Sequence, residues 1–418
     1  MAVPIHIRIL KWMHPGMKVK RWILLCTMGI IMVGIGSVKA LSKEGIGMTV
    51  LGCLILIYGV ALIILGMKMM VKSFLTVFLP EREKEIVNIL YERRHLSKGP
   101  KIVALGGGTG LSVLLHGIKE YTSNTTAIVT VTDDGGSSGR LREEFDILPP
   151  GDIRNCLVAL ADAEPLMRDL FQFRFDEGSV LKGHNFGNLF ITALSRVTGD
   201  FERAIKESSK VLAIRGQVIP STLVKVVLVA EHKDSSETIG ETMISMSALP
   251  IERIYLRPEN PIPIEDALVA IRDSDVIIMG PGSLYTSVLP NLLVSGIKES
   301  ILKSNALKVY ICNVMTQSGE TDNYKASDHV KAIIKHTSPG IINYCIVNTG
   351  HVPDEFIEKY RKENSSPVIA DTQDIRDMGY SVIEEDVVNT IDYVRHNPEK
   401  LARIVMNLLE GKEAVYKR

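Results

Sequence analysis

The chain has 418 residues, enough for two or three average domains or for one large α/β domain with an appendage. Its 48 Lys+Arg balance 48 Asp+Glu, but unevenly: residues 1–99 hold 14 basic and 5 acidic side chains, a net of +9, leaving −9 elsewhere. An acidic body argues against non-specific nucleic-acid binding, which needs a basic face.

Residues 23–38 form an uncharged apolar run, and residues 46–67 form a second one of 22 residues. The second is long enough to cross a bilayer, and the first reaches that length with Trp22, Ala40 and Leu41. Arg8, Lys11, Lys18, Lys20 and Arg21 precede the pair; Lys68, Lys72, Arg82 and Lys84 follow it. The positive-inside rule thus predicts a membrane hairpin over 1–79, with helices at about 22–41 and 46–67. Both termini are expected in the cytoplasm. A buried core hairpin would need a sheet or bundle that the neighbouring sequence lacks. A cleavable signal peptide ending near Val38-Lys39-Ala40 is a further reading, and there too the second run returns the chain to the cytoplasm.

Residues 80–100, PEREKEIVNILYERRHLSKGP, are charged, with Ile86, Ile89 and Leu90 on one face. They predict a short amphipathic linker helix before the domain at 101–418. The five cysteines form no C-x-x-C, so they read as small buried hydrophobes and not as a zinc site or disulfide frame.

Residues 101–155, KIVALGGGTGLSVLLHGIKEYTSNTTAIVTVTDDGGSSGRLREEFDILPPGDIRN, dominate the rest. A strand over 102–105 runs into Gly106, Gly107, Gly108, Thr109 and Gly110, and then into a segment with helical spacing. Glycines there let a backbone approach a phosphate, and the helix start supplies oriented N–H donors. The spacing differs from G-x-G-x-x-G, so it predicts a phosphate cradle and not a dehydrogenase fingerprint. A second strand, 127–132, ends in Asp133 and Asp134, which can accept from a ribose hydroxyl or hold a divalent cation. Gly135, Gly136, Ser137 and Ser138 offer a donor-rich turn, and Arg140 and Arg142 can fork onto phosphate oxygens.

Beyond it, Asp152 reads as a cap for the next helix, with Arg154 and Asn155 on a polar face. Gly183, His184, Asn185, Gly187 and Asn188 stand at the start of an apolar helix over 189–197. Asn185 suits an N-cap, and the group also suits a phosphate or sugar hydroxyl. Residues 224–230 and 253–256 read as strands, and 275–279 as a buried one followed by Gly280, Pro281, Gly282, Ser283 and Tyr285. Tyr285 can stack on a base or sugar, or simply pack. Strands at 308–312 and 344–348 follow, and Asn397-Pro398 opens the last helix. The alternation predicts an α/β, doubly wound, mostly parallel Rossmann-like sheet, with the three glycine motifs meeting at the strands' carboxyl ends.

Five stretches in order, LGGGTGLS, TDDGGSSGRLR, LPPGDIRNCLVAL, GHNFGNLF and GPGSLYTSVLPNLLV, resemble the YvcK/CofD-like family, from about residue 101 to the C-terminus. The likeness is greater to its gluconeogenesis-factor branch than to 2-phospho-L-lactate transferase. That resemblance implies a regulator that binds UDP-sugars, UDP-N-acetylglucosamine especially, and links carbon metabolism to cell-wall synthesis and cell shape. It also raises Asp152, Asn155, His184, Asn185 and Asn188 as site residues. An enzyme is the alternative, moving a nucleotide-activated phosphoryl-linked group to a hydroxyl, with Mg²⁺ on Asp133 or Asp134. No cofactor is required by the first reading. A homo-oligomer is expected, held at the cell membrane through residues 23–67.

The topology is directly testable. A cysteine introduced at Ser97 is expected to escape an impermeant thiol reagent in intact cells, and one introduced at Ser42 to react. Labelling at position 97 in intact cells contradicts a cytoplasmic body.

Overall fold

A computed structural model describes residues 19–42, 45–78, 94–176, 178, 180–247, 249–390 and 393–416. The linker helix expected over 80–100 falls mainly outside the described residues. Two compact units separate between Arg93 and Arg94.

In the first unit, helices Val19–Leu41 and Ile46–Phe78 pack on each other. Both are long and apolar enough, by length and composition, to cross a membrane. Glycines form their contact: a Cβ on Gly36 would lie 2.6 Å from Leu56 N, and one on Gly52 2.4 Å from Ala40 N. Leu54, Ile57 and Ile64 face outward, each about 60% exposed.

The second unit is built on a seven-stranded sheet, every neighbouring pair parallel. Its strands are β1 (Ile102–Gly106), β2 (Thr125–Val129), β3 (Gln217–Pro220), β7 (Val276–Met279), β8 (Leu307–Ile311), β9 (Tyr344–Asn348) and β10 (Ser381–Glu385). The order across the sheet is β10-β9-β8-β7-β1-β2-β3. β1, β2, β7 and β8 are buried on both faces, as continuous apolar runs between covering helices should be. The two strands read at 224–230 and 253–256 belong elsewhere. They form β4 (Val227–His232) and β6 (Ile251–Arg257), which with β5 (Glu237–Ile239) make a separate antiparallel sheet. A last pair, β11 (Val388–Asn389) and β12 (Arg395–His396), precedes the helix Pro398–Tyr416.

That final helix packs against Gly108–Ile118, the helix that follows β1. Contact is close enough that a Cβ on Gly117 would sit 2.1 Å from Pro398 O. Gly117→Val is therefore expected to destabilise the protein by at least about 1–3 kcal/mol, the usual scale of overpacking. Denaturant melts of wild type and variant measure it. Equal midpoints would mean that the contact is slack.

Candidate functional site

Chain order reverses at β1, which lies between β2 and β7. Ligands in open α/β sheets bind at such a reversal, outside the strands' carboxyl ends. A crevice of 210 Å³ opens there, lined by Gly107, Gly108, Thr109 and Gly110 from one loop and Gly282 and Ser283 from the other. The loops touch: a Cβ on Gly110 would lie 2.5 Å from Pro281 O. Gly108 takes a φ of +62°, which favours glycine, as the helix Gly108–Ile118 begins. The positive end of that helix faces the crevice. Gly106 does not line the crevice, and its carbonyl accepts from Thr130 N and from Asn291 Nδ2. A larger hollow of 560 Å³ sits by Lys101, Asn124 and Gln217, at the amino ends of β1 to β3, where such sheets do not hold ligands.

Acids stand behind the first glycine loop, Glu320 buried and Asp152 and Glu241 half-buried. Asp152 accepts the Gly108 N–H, and its carboxyl is pushed up to about 7 by burial and by the charge of Asp133. Glu241 is raised well above the usual range by burial and then by Asp152, Asp133 and Glu320, though Thr132 Oγ1 donates to it at 3.1 Å. Burial also lifts Glu320 to about 7, against hydrogen bonds from Ser245 and Thr286 at 3.0 and 3.2 Å. The carboxylates of Asp133 and Asp134 part company, as successive side chains in extended chain do. Asp134 Oδ1 is taken by Thr242 N and Oγ1 at 2.9 and 2.6 Å, while Asp133 accepts from Gly135 N at 2.9 Å. A cation reading therefore pairs Asp133 with Asp152, not with Asp134. Among the described residues, no three His, Cys, Asp or Glu side chains are grouped as a metal site.

The remaining sequence candidates form a second layer. Ser137 Oγ lies 3.3 Å from His184 Nδ1 and accepts from Asn185 N at 3.3 Å. Asn188 Nδ2 lies 3.5 Å from Ser138 Oγ. Asn185 caps its helix, accepting Asn188 N at 3.2 Å. Arg140 reaches Lys182 O at 3.1 Å, and Arg142 reaches Val226 O at 2.6 Å. Gly136 starts its helix at a φ of +50°. Apart from Arg142, which reaches toward β4, these groups tie the segment after β2 to the loop before helix Phe186–Thr198, and none lines the crevice. Asn155 accepts from Arg154 at 2.6 Å and faces a different groove. Tyr285 packs. It is buried, bonded to Tyr324 Oη at 2.8 Å, with its ring against Tyr324 and His336.

Sequence reasoning did not find Asn313, Gln317, Arg395 and His396, which complete the crevice wall. Asn313 Oδ1 accepts Gly282 N at 3.2 Å, and Gln317 Nε2 donates to Ser283 Oγ at 2.6 Å. Both follow β8, so a polar cluster after a buried strand was the available signal. Arg395 lies over the Tyr393 ring, 5.1 Å from its centroid. Burial holds His396 down to about 4, hence neutral, while its Nε2 lies 3.1 Å from Cys312 O.

The family model of 2-phospho-L-lactate transferase CofD matches residues 102–388. The gluconeogenesis factor of Bacillus subtilis is 50% identical over 316 residues, 75% of this chain and 100% of its own length. A Clostridium acetobutylicum relative that carries a gluconeogenesis-factor name is 43% identical over 98% of this chain and 94% of its own. A solved UPF0052-family protein of Bacillus halodurans superposes with a TM-score of 0.72 at 49% identity, over 74% of this chain and 99% of that one.

The buried acids predict the direction of pH dependence. An Asp152 raised from 3.8 to about 7 keeps its proton in the fold where the unfolded chain has lost it. Stability should therefore fall as pH rises through that window. Asp152→Asn keeps an acceptor for Gly108 N–H while removing the charge. It is expected to raise the melting temperature at pH 8 and to change little at pH 4. A variant melting like wild type at both values would refute the buried-acid account.

Proposed function

The chain belongs to the CofD family, and on that premise we propose that it is a nucleotide-sugar-binding regulator, held at the cytoplasmic face of the cell membrane by its first two helices. One observation carries the reading: two glycine loops and a helix N-terminus converge on a crevice at the reversal of strand order. The Gly108 N–H is held by Asp152 and the Gly282 N–H by Asn313, so the N–H groups at the helix start, Thr109 and Gly110, are the ones that would take a diphosphate. Asn313, Gln317 and Arg395 supply polar groups for the sugar or for phosphate oxygens. UDP-N-acetylglucosamine is the proposed ligand, consistent with a role between carbon metabolism, cell-wall synthesis and cell shape. Relatives named for gluconeogenesis, at 43–50% identity, favour a regulator over a transferase.

The family model's own name supports a second reading, phosphoryl-linked group transfer. Two carboxylates beside a phosphate cradle suit a hard divalent cation such as Mg²⁺, which keeps most of its waters. Asp133 and Asp152 would hold it, and the cation would offset charge on the phosphates. The chain's own glycine loops would then position the donor for attack by an acceptor hydroxyl.

Calorimetric titration of UDP-N-acetylglucosamine into full-length protein in detergent tests the first reading. Wild type is expected to bind and Gly110→Val to lose binding with its circular dichroism intact, because a valine there parts the two loops. Failure of wild type to bind, or unchanged binding by Gly110→Val, removes the nucleotide from this crevice. Binding that survives EDTA favours the regulator; binding lost to EDTA favours the cation-dependent transferase.

A further inference from the structure

A groove of 860 Å³ adjoins the crevice, sharing Thr109, Val113, Arg395 and His396 with its wall. Away from that shared wall it gathers His116, Arg154, Arg168 and Arg174, with Asp169 as the acid among the described lining residues. Such a concentration of arginine is out of keeping with a body whose net charge is −9 over residues 100–418.

The arginines' hydrogen bonds go to neutral oxygens: Arg154 to Asn155 Oδ1 at 2.6 Å, and Arg174 to Gly183 O at 2.8 Å. Arg154 Nε is buried with no hydrogen-bond partner among the described residues. His116 is lowered by burial and by Lys119, with Arg168 adding to the effect. Arg174 repels Arg154, and Arg168 repels His116. Asp152 and Asp133 beside Arg154, and Glu120 and Glu399 beside His116, offset part of this. An anion between the cations would relieve the repulsion within the groove. Guanidinium forks match the oxygens of a phosphate in pairs. The volume suits a small molecule.

We propose that this groove is a second anion site, which takes the phosphate of a small phosphorylated molecule, distinct from the ligand of the crevice. The site does not depend on what the crevice holds. Arg168 is its most informative residue. It projects from the short helix Pro165–Gln172 and is half-buried. Its removal therefore leaves the sheet and both glycine loops in place.

The test is calorimetric titration of inorganic pyrophosphate into full-length protein in detergent, with and without saturating UDP-N-acetylglucosamine. Saturable binding is expected in both conditions, weakened about tenfold by Arg168→Ala, the lower end for a hydrogen bond to a charged group. Arg168→Glu is expected to abolish it and Arg168→Lys to retain part, with melting temperatures confirming that each variant folds. No saturable binding by wild type overturns the proposal. So does equal affinity in the Ala and Glu variants, which would place pyrophosphate in the crevice. Loss of binding when the UDP-sugar is added also overturns it, because the two anions would then share one site. If the UDP-sugar fails to bind at all, the Arg168 series still decides for or against the groove, independently of the nucleotide reading.

Discussion

The body of this protein is arranged around two loops whose backbones touch. β1 and β7 run side by side, and their pairing continues past the strands through Gly280 N and Leu105 O at 2.9 Å. Both chains must then turn away at the same end of the sheet. A side chain at position 110 would drive into Pro281, so only glycine permits the approach. From that contact the rest follows. The helix after β1 starts at the crevice, its dipole aimed inward, and its far side receives the C-terminal helix at Gly117. Asn313 and Gln317, from the loop after β8, fasten the second glycine loop from behind. A site held by backbone on two sides and by side-chain amides on a third is preformed, and preformed sites lose less ordering entropy when a ligand binds.

The acids behind the first loop carry the opposite sign of stability. A carboxylate out of water is costly unless paired or fully hydrogen-bonded. Glu320 has hydroxyl partners in Ser245 and Thr286, and Asp152 has the Gly108 N–H, yet burial still outweighs these bonds and lifts both to about 7. Core stability alone would be better served by amides or apolar groups at those positions. Strongly perturbed acids beside a cleft are a mark of functional sites. Asp152 is the link, because it touches the loop that lines the crevice and senses Asp133 at the same time.

How much of this the sequence reveals depends on what kind of contact makes each feature. β1, β2, β7, β8 and β9 are short apolar runs between turn residues, so their existence and the parallel sheet are readable from periodicity. β3 and β10 are edge strands with mixed polarity, Gln217–Pro220 and Ser381–Glu385, and carry no such signal. The residues at 224–230 and 253–256 look like sheet strands because side-chain alternation does not record which sheet a strand joins. Local glycine chemistry points to Gly107 to Gly110 and Gly282, and the fold brings these residues to one crevice. Arg395 could not be found that way, since it arrives from a two-residue strand far along the chain. Whether Tyr285 stacks or packs is undecidable from sequence for a related reason: its ring is taken by Tyr324 and His336, contacts that only the fold supplies.

The N-terminal helices obey a different rule from the body. Gly29 and Gly36 on one helix, and Gly52, Gly59 and Gly66 on the other, recur seven residues apart and meet the partner helix at backbone distance. Helices packed through small residues gain from backbone contact, not from hiding apolar side chains, which suits a hydrocarbon surround. Outward-facing Leu54, Ile57 and Ile64 would be a liability in water. Solved relatives that match only the body show that this fold stands without the two helices. The residues that line the crevice accordingly all belong to the body.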